Sequence, residues 1–212
     1  LLEGIEDKIE VVLHLPFGGD SNDLVSGKKE VFERQFLAID YASKFKAKKL
    51  TLHLGGVHEY TQKEYLDISV NNVKRLCEYA SKYDANIMIE NMPAKSEVAT
   101  SIEEMKYIIE HVNMPNCKFI YDTGHGHVYY KDLEKEKEFL STLKPYLYHF
   151  HISDNDSSRD MHAAIGKGNI DFCNLFKDIK KDYDELYCLE IIYKNSDDLR
   201  DYLNSLKEKL FN

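Results

Sequence analysis

The 212-residue sequence lacks any apolar run approaching the roughly 20 residues that a membrane-spanning helix needs. It has only four prolines, no low-complexity tract and no block of like charge. Nothing therefore marks a linker, and a single domain over residues 1–212 is expected. Its four cysteines, Cys77, Cys117, Cys173 and Cys188, stand without C-x-x-C spacing. That argues against a disulfide framework or a zinc-thiolate cluster, and they read as free thiols filling small buried volumes. Leu1 to Lys8 is charged and helical in character, unlike a signal or transit peptide, so a cytoplasmic protein is expected.

Positive charge is also scarce, with 28 Lys and Arg against 37 Asp and Glu and a net charge of −9. That balance disfavours a nonspecific polyanion binder, which needs clustered cations to meet phosphates. The hydrophobic share of 43% and the charged share of 31% are those of an ordinary folded globular protein.

Six short apolar segments are present: Ile9 to Leu15, Leu50 to Leu54, Ile87 to Glu90, Phe119 to Asp122, Tyr146 to Ile152 and Leu186 to Ile192. Helical spacing fills the stretches between them. Phe32, Phe36, Ile39, Ala42 and Phe45 form one apolar stripe. Thr61-x-x-Glu64 and Ser101-x-x-Glu104 read as capping boxes. Nearly all-apolar strands alternating with helices predict an α/β protein with a covered parallel sheet.

The strands end at His14, His53, Glu90, Asp122, His151 and Glu190, spaced by 29 to 39 residues. About 250 residues in eight βα units give roughly 31 per unit, so a TIM (β/α)8-type barrel is expected. Six units are visible, and the first two βα units are expected to be missing, with Leu1 to Lys8 as the tail of the second helix. An open doubly wound sheet would also accommodate six strands.

Every one of those ends is a residue that can bind metal. In a parallel barrel all C-terminal strand ends share one face, so these side chains converge although they are remote in sequence. A lone histidine at a strand end is more often a hydrogen-bonded structural residue. A glutamate after three apolar residues is rarer, because an ionised carboxylate there needs a partner or a cation. The fifth strand opens a polar loop carrying His151, Asp154, Asp156, Asp160 and His162, and closing with Ile165-Gly-Lys-Gly-Asn. Imidazoles and carboxylates in that density suit a divalent transition metal.

His58, His111 and His127 fall outside these positions and read as surface or loop residues. His149 shares a strand face with His151 and reads as a partner of a ligand or a polar member of the interior. Gly166-Lys-Gly168 reads as a turn, from which Lys167 could meet a substrate phosphate.

From Val11 to Ile192 these motifs resemble the xylose isomerase-like TIM barrels, which include sugar isomerases, sugar epimerases and the endonuclease IV group. The most specific part is Asp160-x-His162-x-x-Ile165-Gly166-x-Gly168. The resemblance implies two ligand patterns. In the epimerase pattern one metal, Zn²⁺, Mn²⁺ or Mg²⁺, is held by Glu90, Asp122, His151 and Glu190. There Glu90 and Glu190 act as the proton-transfer pair, and His14, His53, His125 and Lys167 contact substrate. In the endonuclease IV pattern zinc ions are held by these four residues together with His14, His53, His125, Asp160 and His162.

Some residues depart from the nuclease pattern. Leu-Gly-Gly follows His53, Ile-Ser-Asp-Asn-Asp follows His151, and the loop after His14 is acidic. Those departures favour a metal-dependent sugar or sugar-phosphate isomerase or epimerase, with a zinc-dependent AP endonuclease as the alternative. The expected partner is a small sugar substrate, with nucleic acid only under the alternative and no membrane. A homo-oligomer is compatible with the sequence.

Overall fold

Residues such as Leu50, Leu52, Ile87 and Ile89 are fully buried, and Thr51 and Met88 between them are buried as well. Strands covered on both faces read as continuous apolar runs, and parallel pairing is how such strands are found. The computed structural model describes residues 9–20, 22–193, 199, 200, 202, 203 and 206. The helical tail expected at Leu1 to Lys8 lies outside the described residues.

The described elements alternate as expected. They are β1 (Val12–His14), α1 (Lys29–Lys44), β2 (Lys49–Leu52), α2 (Gln62–Ser81), β3 (Asn86–Glu90), α3 (Ile102–Val112), β4 (Cys117–Asp122), α4 (Thr123–Tyr130), α5 (Leu133–Leu143), β5 (Leu147–Ile152), α6 (Phe172–Leu175) and β6 (Leu186–Leu189). The strands neighbour one another in chain order, β1-β2-β3-β4-β5-β6. The alternation is that of (β/α) barrel units rather than of a doubly wound sheet, whose order reverses partway. None of the described helices is long and apolar enough to cross a membrane.

Contacts gather the chain into two compact units. The first holds the described residues up to Glu90 with Ser96–Ala99 and Glu103–Phe119. In it β1 pairs in parallel with β2, His14 opposite Thr51, and β2 pairs in parallel with β3, Leu52 opposite Ile89. Helix α2 starts at the capping box read from sequence, with Thr61 accepting from the Glu64 amide and the Glu64 carboxylate reaching back. It buries Leu66, Val70, Val73, Leu76 and Cys77. Helix α1 buries Val31, Phe32, Ile39 and Ala42, but Phe45 is 51% exposed. The apolar stripe therefore ends one turn early, because Phe45 is the C-cap residue and has left the helical path. Helix α3 follows Ser101 as expected, and buried Glu104 accepts from the Tyr65 hydroxyl.

The second unit holds Asn91–Lys95, Thr100–Ile102 and the described residues from Ile120 onward. Parallel β5 and β6 place His151 opposite Cys188. Their core is aromatic: Tyr121, Phe139, Phe150 and Phe176 are fully buried, and Phe150 stacks on Tyr187 at 5.2 Å. Burial pushes the Tyr121 hydroxyl well above its ordinary pKa, and nearby Glu136 adds to that shift. All four cysteines are free, but only Cys77 and Cys117 are buried. Cys188, on β6, is exposed, against the expectation of a buried thiol.

Candidate metal centres

In the first unit, three strand ends deliver His14, His53 and Glu90 to one place. Glu90 is 1% exposed, and its Oε2 lies 2.9 Å from His53 Nε2 and 3.5 Å from His14 Nε2. The two Nε2 atoms are 3.2 Å apart. His14 Nδ1 meets the Leu15 carbonyl at 2.9 Å. A carbonyl only accepts, so Nδ1 carries a proton and Nε2 is the nitrogen turned to His53 and Glu90. Two imidazole nitrogens beside a buried carboxylate are a donor set that could hold a metal ion. Phe17, 54% exposed, packs against both imidazoles at 4.3 and 4.9 Å between ring centroids.

The loops after β1 and β2 are tied together by Asp23. Its Oδ1 accepts from the Ser26 amide at 3.1 Å, while Oδ2 accepts from the Gly56 amide at 3.2 Å and meets His58 Nε2 at 2.7 Å. Gly55 has φ +109, and a Cβ there would come within 2.3 Å of Asp23 Oδ1. Glycine is required on both counts. His58 thus sits in a loop, as its position suggested. The clamp made by Asp23 was not read from the sequence, where it appeared only as one acid in an acidic loop.

In the second unit, Asp122 ends β4 and caps α4, with Oδ1 accepting from the His125 amide at 2.6 Å. His151 ends β5 region one residue before its close, and its Nδ1 lies 2.9 Å from Glu190 Oε2. Donor atoms of Asp122, His151 and Glu190 lie within 4.8 Å of one another.

A separate cluster forms around Asp160. Its Oδ2 lies 2.9 Å from His162 Nε2 and 3.4 Å from His125 Nε2. Both imidazoles are turned the same way as His14: His125 Nδ1 meets the Asn91 carbonyl at 2.9 Å and His162 Nδ1 meets the Glu190 carbonyl at 3.1 Å. Each ring then turns its Nε2 toward the same carboxylate oxygen. Burial alone would raise the Asp160 pKa, but the hydrogen bond from His125 and the charges of His125 and His162 outweigh it and hold the carboxyl below its ordinary value.

Asp154 shapes the loop that carries this cluster. Its Oδ2 accepts from the Gly166 and Gly168 amides at 2.8 and 2.9 Å, and its Oδ1 from the Ile170 amide at 3.2 Å. Gly166-Lys-Gly168 is therefore a turn, as expected, and Lys167 is exposed on it. Asp156 is also exposed; it closes a local turn onto Ser158. His111 is exposed and stacked on Tyr107. His127 departs from the surface reading: its Nδ1 meets fully buried Glu136 at 2.9 Å and its Nε2 meets Asn169 at 2.7 Å. Those partners lie on other elements, which a local reading of the sequence could not find.

Residues 4–209 match the model of a family described as xylose isomerase-like TIM barrel. An uncharacterized protein of Methanocaldococcus jannaschii is 32% identical over 173 residues, which cover 81% of this chain and 65% of that protein. A protein named probable endonuclease 4, from Metamycoplasma arthritidis, is 30% identical over 192 residues, 84% of this chain and 67% of its own length. The solved structure of a D-tagatose 3-epimerase-like protein superposes with a TM-score of 0.81 at 27% identity, covering 97% of this chain and 79% of that one. A protein named IolI, solved with a bound zinc atom, has the same fold at a TM-score of 0.73 and 16% identity, covering 95% of this chain and 76% of that one.

Proposed function

Since this chain belongs to the xylose isomerase-like TIM-barrel family, we propose that it is a metal-dependent phosphodiester hydrolase of the endonuclease IV kind, acting at abasic sites in nucleic acid. The observation that carries this reading is the orientation of His14, His125 and His162. Each ring has Nδ1 on a backbone carbonyl and Nε2 beside a carboxylate. That is the arrangement in which an outer carbonyl fixes the tautomer and the inner nitrogen takes a cation. The sequence departures put the sugar epimerase first; the imidazoles of these two clusters, which a one-metal centre does not use as ligands, reverse that order.

Two imidazoles with one carboxylate, present in both clusters, are a donor set that suits zinc. His14, His53 and Glu90 would hold one ion, and His125, Asp160 and His162 another. Glu90 would join Asp122, His151 and Glu190 around a third. Bound zinc supplies Lewis acidity, which activates water and neutralises charge on the phosphoryl oxygens. The protein's part is to fix the donors. The Leu15, Asn91 and Glu190 carbonyls orient the rings, Asp122 is held by its capping bond to the His125 amide, and Asp154 sets the loop bearing Asp160 and His162. Exposed Lys167 would meet a substrate phosphate. The relatives named probable endonuclease 4 support this reading.

A second reading is favoured by the overlay on the D-tagatose 3-epimerase-like structure at 27% identity and by the net charge of −9. In it one ion on Glu90, Asp122, His151 and Glu190 would grip a sugar, with Glu90 and Glu190 moving the proton. Elemental analysis of the purified protein, with assays on an abasic oligonucleotide and on ketose sugars, separates the two. Zinc at every cluster with cleavage of the abasic strand is expected. One ion per chain with ketose epimerisation and no cleavage would overturn the nuclease reading.

A further inference from the structure

Strand β5 carries a second buried imidazole on the face of His151. His149 lies two residues earlier, so the pleat turns both side chains to one side. Their ring centroids are 5.4 Å apart and the planes are 79° from parallel. In the parallel register of β5 and β6, Cys188 stands opposite His151. Opposed residues of neighbouring strands project from the same face, so the thiol joins the two rings. One donor atom from each of His149, His151 and Cys188 lies within 4.8 Å of the others. The imidazoles are 1% and 6% exposed, whereas Cys188 is exposed.

The chemistry of this trio differs from that of the other clusters, which have a carboxylate where this one has a thiol. Two imidazoles and a thiolate are donors for soft or borderline transition metals and poor donors for Mg²⁺ or Ca²⁺. We propose that His149, His151 and Cys188 form a soft-metal site that shares His151 with the Asp122 and Glu190 set. On binding, the Cys188 S–H bond breaks, its proton passes to solvent, and the thiolate sulfur donates to the cation with no change of oxidation state. Because His151 belongs to both sets, a thiophilic ion at Cys188 competes with Glu190 for that ring.

Cobalt(II) titration of the purified chain tests this through the thiolate-to-cobalt charge-transfer absorption, which oxygen and nitrogen donors do not give. The band is expected in wild type and in Glu190→Gln, is lost in Cys188→Ser and is weakened in His149→Gln. No band in wild type, or one that survives Cys188→Ser, would overturn the site. A second measurement avoids any folding defect in the variants: alkylation of Cys188 in the folded wild-type protein, followed by peptide mass spectrometry. Cadmium at about ten times its dissociation constant should slow that alkylation about tenfold; unchanged alkylation at saturating cadmium overturns the proposal. Neither readout depends on nuclease or epimerase activity, so failure of the functional reading leaves this one standing.

Discussion

Asp160 Oδ2 and His162 Nε2 lie 2.9 Å apart, with His162 Nδ1 already committed to the Glu190 carbonyl. A ring so tied turns Nε2 to the carboxylate, and His125 turns its own Nε2 to the same oxygen from 3.4 Å. One oxygen and two ring nitrogens gathered in this way are a donor set for one cation. Asp160→Asn should therefore lower the zinc content by one ion per chain. Abasic-strand cleavage should fall by more than the roughly 10- to 100-fold that loss of an outer-shell partner costs. Elemental analysis with single-turnover cleavage checks this, and unchanged zinc content would remove Asp160 from the ligands.

Metal removal has a stability consequence of its own. A ligand that binds only the folded chain at about 100 times its dissociation constant stabilises it by about 2.7 kcal/mol. For a chain of this size each kcal/mol moves Tm by about 2–4 °C. Stripping the protein with a chelator should lower Tm by about 5–10 °C for each site vacated, and zinc should restore it. A melting curve indifferent to chelator would argue that His14, His53 and Glu90 are a purely structural cluster.

The strand ends were legible in sequence because each combines a local apolar run with one ionisable residue, as in Ile87-Met-Ile-Glu90. The pairing of Asp160 with His162 was legible because they are two residues apart. What the sequence hid depends on partners brought from far away. Asp154 collects amides 12 to 16 residues on, and Asp23 collects the Gly56 amide 33 residues on. His127 meets Asn169 across 42 residues. Phe45 and Cys188 show the converse: a correct periodicity and a correct strand do not say where a helix stops or which side chain is covered.

His127 offers a pH test. Its hydrogen bond to Glu136 holds the imidazole pKa above 6.5 against the opposing effect of burial, and the bond to Asn169 adds to it. A folded pKa above the unfolded value means that the protonated form is favoured by folding. The stability it contributes is fully present below the unfolded pKa and is lost as pH rises through the folded one. Proton NMR should show His127 titrating above about 6.5, the ordinary histidine value. Glu136→Gln should bring it down, and the melting temperature should then lose part of its decline between mildly acidic and mildly alkaline pH.

Gly168 tests how the loop carrying Asp160 and His162 is held. A Cβ at this position would come within 2.1 Å of the Asn155 carbonyl oxygen and 2.3 Å of Asp154 Oδ1. The first is backbone of the same folded loop, which cannot swing aside as a side chain can. Gly168→Ala should therefore push the turn away from Asp154 and weaken the amide bonds at Gly166 and Gly168. Overpacking of this kind costs about 1–3 kcal/mol, and each buried acceptor left short of its donor adds about 1–3 kcal/mol. The expected result is a lower denaturation midpoint together with weaker zinc binding at Asp160 and His162, although neither residue is altered. Gly18→Ala is the control, since no atom lies within 4 Å of a Cβ there and only its φ of +76 opposes the change. If Gly168→Ala bound zinc as wild type does, the loop would be positioned by something other than the Asp154 carboxylate.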